Sequence, residues 1–391
     1  MINSINFPDG IDAEVFVRDY WQKKPLFIKN ALPGFTNPLT PEELAGLACE
    51  EGIASRLIRE HGENGKTPWQ VKHGPFCEDD FTHLPESHYT FLVQDLNRYI
   101  PELNQLLDNF YFLPGWRIDD VMASYAAPHG TVGPHTDQYD VFLIQGLGTR
   151  CWQINSQINH HEELIPGLDL RILANFKAEE EFVMQPGDML YLPPGVQHHG
   201  VSEAPGMTYS VGFRAATQLE LLGDYIDQRT LHNCDEVRFK DGEIEADIHN
   251  GEIKLAARQR IRKMIREIPA DDNEIDDWFA KFITYTGVRL ENGIPLRTES
   301  DTSLFSEQFS KKKKLFRDTQ SRFAYIETEH GLQLYIDGET ALITKEQSEL
   351  IRLLCDQRQY SDEALSPYLN NKDNLSLLCG WWENSLVYFD D

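Results

Sequence analysis

The chain has 391 residues, 41% of them hydrophobic and 25% charged, a globular composition too long for one ordinary domain. Its net charge of -27 argues against a general nucleic-acid or anionic-membrane surface and favours a basic partner, although such acidity also serves solubility alone. Six scattered cysteines without a C-x-x-C pair, no secretory leader and no run of 18 apolar residues argue against a disulfide framework, a zinc ribbon or a membrane span, and predict a cytoplasmic protein.

The first hundred residues read as mixed helix and loop. In PLTPEELAGLACEEGIASRLI (38–58), Thr40 sits three residues before Glu43 and apolar residues follow at helical spacing, which predicts a capped helix. SHYTFLVQDLNRYIPELNQLLDNF (87–110) predicts another, interrupted at Pro101. From about residue 117 the period changes to two. VMASYA (121–126), DVFLIQG (140–146), TRCWQIN (149–155), DMLYLPP (188–194) and MTYSVGF (207–213) are short strands punctuated by Gly, Pro and Asp turns. Such spacing without intervening helices predicts a sandwich or barrel. After Ala215 helical spacing returns, with one face on Leu219, Leu221, Leu222, Tyr225 and Ile226 and another on Ile261, Met264, Ile265 and Ile268. The polar stretch 290–315, including Lys311 to Lys314, reads as a linker or exposed loop. The tail offers strands at RFAYIET and LQLYIDG, helices at TKEQSELIRLLCDQ and SDEALSPYL, and a last apolar run at SLVYF, an order that suits a winged-helix-like module.

One H-x-D triplet opens an alternating strand, so His135, Asp137 and Tyr139 share a face. His198 and His199 follow a strand that ends in the Pro193-Pro194-Gly195 turn, and either could return beside that face. Two histidines and one carboxylate form the facial triad of non-haem Fe(II) oxygenases, which leaves three positions for a chelating co-substrate and dioxygen. The distal carboxylate of 2-oxoglutarate would then need a cation. Arg150 shares a strand face with Trp152 and Ile154, where an unpaired guanidinium is costly unless it snorkels to water. Thr208, Ser210 and Gly212 form a small polar set suited to a ligand-lined interior, while Tyr139 fits core packing equally well.

These segments, GPHTDQYDVFLIQGLGTRCWQI, PGDMLYLPPGVQHHG and MTYSVGFRA, closely resemble the bacterial JmjC-type ribosomal oxygenases, arginine hydroxylases of large-subunit ribosomal protein sixteen. The likeness extends upstream through YWQKKPLFIK, LTPEELAGLA, SRLI, WQVKHGPF and WRIDDVM. It implies a mainly β catalytic domain, a JmjC/cupin double-stranded β-helix, over 1–215, a helical dimerisation region over 216–290, and an α+β winged-helix-like domain over 291–391. It assigns Fe(II) to His135, Asp137 and His198, with His199 a non-ligand where the family has glutamate. It places Arg150 and Thr208 at 2-oxoglutarate, and Asp120, Tyr139 and Ser210 at the substrate arginine. Thr208 stands where the family has Asn and Ala126 where it has Ser, both expected near the co-substrate. The implied partners are a basic large-subunit ribosomal protein as substrate and a second copy in a homodimer, with neither membrane nor direct nucleic-acid binding.

Two other readings compete. A cupin-type nucleic-acid-binding regulator would use Lys311 to Lys314 and RQRIRKMIR (258–266), against which the acidic net charge counts. A small-molecule oxygenase would have no particular use for the long C-terminal extension.

Overall fold

A computed structural model gives the fold and describes residues 5–389 apart from 61–68, 158–161, 232–239, 241–254, 267–270, 288–289 and 291–292. Ile268, the last residue of the second predicted helical face, lies outside the described residues. Among them, no helix is long and apolar enough to cross a membrane.

The chain enters through α1 (Ala13–Asp19), β1 (Leu26–Ile28) and α2 (Pro41–Leu47). Helix α2 starts as predicted. The Glu43 amide donates to the Thr40 hydroxyl at 3.2 Å, and the Thr40 amide donates to the Glu43 carboxylate at 2.8 Å. The expected helix over 38–58 nevertheless stops after Leu47. Gly52 takes a left-handed φ of +85°, and Ser55–Glu60 becomes β2, paired with β3 (Trp69–His73) and β4 (Tyr89–Val93). The expected helix over 87–110 is corrected in the same way. After α3 (Glu78–Thr82), YTFLV is β4, and α4 (Pro101–Leu106) begins at Pro101 rather than breaking there. Short apolar runs do not distinguish strand from helix, and here partners distant in sequence decide the matter.

The predicted strands then follow as β5 (Ile118–Ala126), β6 (His135–Thr136), β7 (Asp140–Leu147), β8 (Arg150–Asn155), β9 (Glu180–Met184), β10 (Met189–Leu192), β11 (Gln197–Ser202) and β12 (Gly206–Phe213). One antiparallel sheet runs β1-β10-β7-β12-β5-β4-β2-β3, and the facing one runs β6-β11-β8-β9. From β5 to β12 the chain passes back and forth between the two sheets, only β8 and β9 being consecutive in one of them, which is the double-stranded β-helix expected. Strand β7 is buried on both faces. Phe142 and Ile144 join the outer core with Phe16, Phe110, Tyr191 and Phe213, while Val141 and Leu143 point inward against Trp152, Ile154 and Leu192. Each fully buried large side chain of this kind contributes about 1.5–3 kcal/mol. Val141, Leu143 and Trp152 of this inward layer also line the cavity inside the barrel.

Helices α5 (Gln218–Leu231), α6 (Leu255–Arg266) and α7 (Asp272–Thr284) follow. The third packs on the C-terminal module, where the Tyr335 hydroxyl donates to Asp277 at 3.1 Å, and the Phe279 ring meets Trp116 of the barrel edge on at 5.6 Å. Residues 290–315 are not the linker expected. They contain α8 (Ser303–Lys312), whose Phe305 and Phe309 lie one turn apart and are buried in the C-terminal core. That spacing is helical, but the lysines around it hide it from a reading by polarity. Strands β13 (Lys314–Arg317), β14 (Phe323–Thr328), β15 (Gly331–Ile336) and β16 (Glu339–Thr344) and helices α9 (Ser348–Asp356), α10 (Asp362–Leu369) and α11 (Lys372–Glu383), with β17 (Gln359–Ser361) and β18 (Val387–Tyr388), complete the module. Of these, β13, β16, β17 and α11 have no counterpart among the elements predicted from the sequence.

Candidate active site

The H-x-D strand and the strand after the Pro-Pro-Gly turn are direct neighbours. His135 and His198 are opposite each other in the β6–β11 pair, with ring centroids 4.2 Å apart. The Asp137 carboxylate lies 3.6 Å from His198 Nε2. One ligand atom from each of the three residues falls within 4.8 Å of the others, and among the described residues this is the group able to hold a metal ion. Both rings are oriented from behind. His135 Nδ1 is 2.9 Å from the Gly133 carbonyl and His198 Nδ1 is 3.0 Å from the Val196 carbonyl. A carbonyl only accepts, so each Nδ1 carries the proton and each Nε2 lone pair is left for a metal. Burial, with His135 adding to it, pushes His198 down to about 4 and keeps it neutral near pH 7. His199, one position along, faces away from this group, its ring edge on to Phe176 at 5.9 Å.

The same cavity, about 640 Å³, continues from the metal group to Arg150. Arg150 is 3% exposed, so its guanidinium does not snorkel to water. Nη2 donates to the Gly200 carbonyl at 3.2 Å, and Nη1 meets the hydroxyls of Thr208 and Ser124 at 3.4 and 3.5 Å. Its Nε is buried with no partner, and among the described residues no carboxylate pairs with it. Burial pushes the guanidinium down to about 10. A desolvated cation with an orphaned donor in a cavity wall fits a carboxylate ligand. The Thr208 hydroxyl in turn donates to Gln145 Oε1 at 3.0 Å, which holds it at the same place.

The expected role of Ala126 is corrected here. It shares strand parity with Ser124, but Ser124 lies opposite Thr208 and lines the cavity, whereas Ala126 is paired with Gly206 and Thr90 outside it. Gly200 is a further site residue that the sequence pattern does not single out. A Cβ there would come within 2.7 Å of Arg150 Nε and of the Trp152 ring, so glycine permits both to lie flat against β11. Arg56 and Gln94, from the segments expected as helix, also line the cavity.

At the mouth, Asp120, Tyr139 and Ser210 come together. Gly212 leaves bare backbone between two of them, since a Cβ there would lie 3.4 Å from the Asp120 carboxylate and 3.5 Å from the Tyr139 ring. Tyr139 is 40% exposed and lines the cavity instead of packing into the core. Burial raises the Asp120 carboxyl to about 6, countered in part by the Asp95 amide, which donates to it at 3.3 Å. Asp119 points the other way, its carboxylate 3.7 Å from Arg322.

Residues 105–221 match the family described as the JmjC domain, and residues 267–388 match the ROXA-like winged helix. The ribosomal protein uL16 3-hydroxylase of Escherichia coli K12 is 37% identical over 295 residues, 75% of each chain. A probable ribosomal oxygenase of Haemophilus influenzae is 29% identical over 397 aligned positions, covering 97% of each. Among solved structures, that of E. coli YcfD superposes with a TM-score of 0.79 at 30% identity, covering 99% of this chain and all of that one. YcfD in complex with cobalt and 2-oxoglutarate superposes with a TM-score of 0.76 at 29% identity, covering 99% of each. The shared barrel, winged helix and sequence identity together place this chain in the ribosomal oxygenase family of JmjC-domain 2-oxoglutarate oxygenases.

Proposed function

We propose that this chain is an Fe(II)- and 2-oxoglutarate-dependent oxygenase that hydroxylates an arginine side chain of a large-subunit ribosomal protein. The observation that carries the reading is a single cavity with the His135, Asp137 and His198 group at its base, an unpaired buried Arg150 beside it and a carboxyl of raised pKa, Asp120, at its mouth. His135, Asp137 and His198 hold Fe(II), and Arg150 with Thr208 holds the distal carboxylate of 2-oxoglutarate. Asp120, Tyr139 and Ser210 receive the substrate arginine. The bound metal and co-substrate supply oxidative activation of dioxygen, with succinate and carbon dioxide as products. The protein's own share is orientation: the two ring tautomers are fixed from behind, and the apolar wall of Ile58, Leu92 and Met122 limits water around the reacting C–H bond. The test is intact mass of large-subunit ribosomal proteins incubated with enzyme, Fe(II) and 2-oxoglutarate. The expected gain is one oxygen on a basic protein, mapped to arginine; no gain on any of them overturns the reading.

Substrate choice is expected to rest on Asp120 and not on Asp119. A guanidinium takes a carboxylate through two hydrogen bonds, each charge-assisted contact contributing about 1.5–3 kcal/mol. Asp120→Ala should therefore lower kcat/KM for an arginine peptide about 10- to 100-fold, while leaving metal content intact and some uncoupled succinate release. Asp119→Ala, which loses a partly exposed ion pair, should lose far less. In the free enzyme Asp120 protonates as pH falls through about 6, so peptide KM should rise below that pH and stay flat above it. Asp120→Asn should remove this dependence. Equal and mild losses in the two alanine variants would show that neither aspartate reads the substrate.

The region 216–290 is assigned to a two-fold dimer. Leu219, Leu222 and Ile226 on α5 are 80%, 47% and 47% exposed on one face, and Ile261 and Ile265 on α6 are 44% and 66% exposed. So much apolar surface on successive helices suits closed pairing with a second copy. Sedimentation should give a dimer at micromolar concentration, and a Leu222→Asp, Ile226→Asp variant should run as a monomer. A monomeric parent chain would count against the assignment.

A further inference from the structure

A second cavity, about 720 Å³, lies between the barrel and the C-terminal module, within the range of about 300–1,000 Å³ usual for small-molecule sites. Four arginines line it: Arg98 from the barrel side, and Arg317, Arg322 and Arg358 from the C-terminal module. Three of them are paired with a carboxylate. Arg98 Nε is 3.3 Å from Asp95, Arg322 Nη2 is 3.7 Å from Asp119 and Arg358 Nη1 is 3.5 Å from Asp108. Arg317 meets none among the described residues. It is 7% exposed, donates from Nη1 to the Cys355 carbonyl at 3.1 Å, lies over the Phe323 ring at 5.1 Å, and has a buried Nε with no partner. Arg358 neighbours it, the Arg317 amide donating to the Arg358 carbonyl at 2.9 Å. Burial first, and then Arg317, pushes the Arg358 guanidinium down to about 10. The wall also holds two carboxyls, Asp119 and Asp356, and burial raises that of Asp356.

Arg317 is thus the one of the four arginines with no carboxylate partner among the described residues, and a buried guanidinium with an orphaned donor is costly unless an anion shares the space. A phosphate offers enough oxygens to meet two guanidinium forks at once. The same cavity is bordered by Tyr111 and Trp116, 59% and 44% exposed, and such rings accept a nucleobase face. We propose that this interdomain cavity binds a free nucleoside phosphate, with the phosphate between Arg317 and Arg358 and the base at the Tyr111 and Trp116 rim. The site is separate from the catalytic pocket, but strand β5 walls both, with Asp119 lining one and Asp120 the other.

The experiment is calorimetry and thermal melting of the full-length chain at fixed ionic strength with AMP, inorganic phosphate, adenosine and a six-nucleotide single-stranded RNA. Saturable binding of AMP is expected, with weaker binding of phosphate and none of adenosine. Arg317→Met should weaken AMP at least tenfold without lowering the melting point of the unliganded chain. Arg98→Gln, at the more exposed rim, should weaken it severalfold and serves as the deciding variant if Arg317→Met does not fold. Arg150→Met should leave AMP binding unchanged, which separates this site from the co-substrate pocket. Absence of AMP binding, AMP binding that survives Arg98→Gln and Arg317→Met, or RNA binding tighter than AMP would overturn the proposal.

Discussion

Replacing His135, Asp137 or His198 by alanine is expected to abolish 2-oxoglutarate-dependent succinate formation, while His199→Ala keeps most of it. The two adjacent histidines are chemically alike, and strand parity separates them. His198 faces His135 across the β6–β11 pair, with its Nδ1 on the Val196 carbonyl and its Nε2 directed at Asp137. His199 lies on the other face against Phe176. Loss of a group that merely orients a metal ligand typically costs about 10- to 100-fold in metal affinity, so loss of a ligand should exceed that. Cobalt or manganese titration followed by metal analysis checks it without relying on turnover. Retention of metal in His198→Ala together with its loss in His199→Ala would show that the other histidine is the ligand.

Arg150→Ala is expected to raise the 2-oxoglutarate requirement about 30- to 3,000-fold and leave metal binding intact. The range converts the cost of truncating one partner of a buried charge pair, about 2–5 kcal/mol, at about 1.4 kcal/mol per tenfold. The free protein gives this prediction a second edge. Arg150 has no carboxylate of its own among the described residues, and its Nε is orphaned. An Arg150→Met variant should therefore melt no lower than the parent in the absence of co-substrate, because it removes a desolvated cation and keeps the packing against Trp152. It should lose the stabilisation that 2-oxoglutarate confers on the parent. A lower melting point with an unchanged co-substrate KM would make Arg150 a structural residue and point to another cation. Gly200→Ala offers a related check, since a Cβ at that position would press on Arg150 Nε.

Much of the site is legible in the amino-acid sequence. Alternation in 118–126, 140–147, 150–155 and 206–213 puts Asp120, Arg150, Thr208 and Ser210 on inward faces, because side chains on a strand obey a strict period of two. The H-x-D triplet supplies two members of the metal group for the same reason. Local pattern is weaker where a short apolar run carries no period, as in YTFLV and SRLI, which become β4 and β2 by pairing with β5 and with each other. The polar stretch 303–312 is a helix held by two phenylalanines whose core arrives from residues far along the chain, so polarity misleads there.

Parity also has a limit, and Ser124 and Ala126 mark it. Which residues of β5 share a face follows from their order along the chain, since successive side chains must point to opposite sides. How far along that face the cavity extends is a tertiary matter, settled by the partners Thr208 and Gly206 that the neighbouring strand brings opposite each residue. The same distinction separates Asp119 from Asp120. Their opposite directions are a property of the strand, but that one meets Arg322 of the C-terminal module and the other the catalytic cavity depends on how distant segments pack against β5.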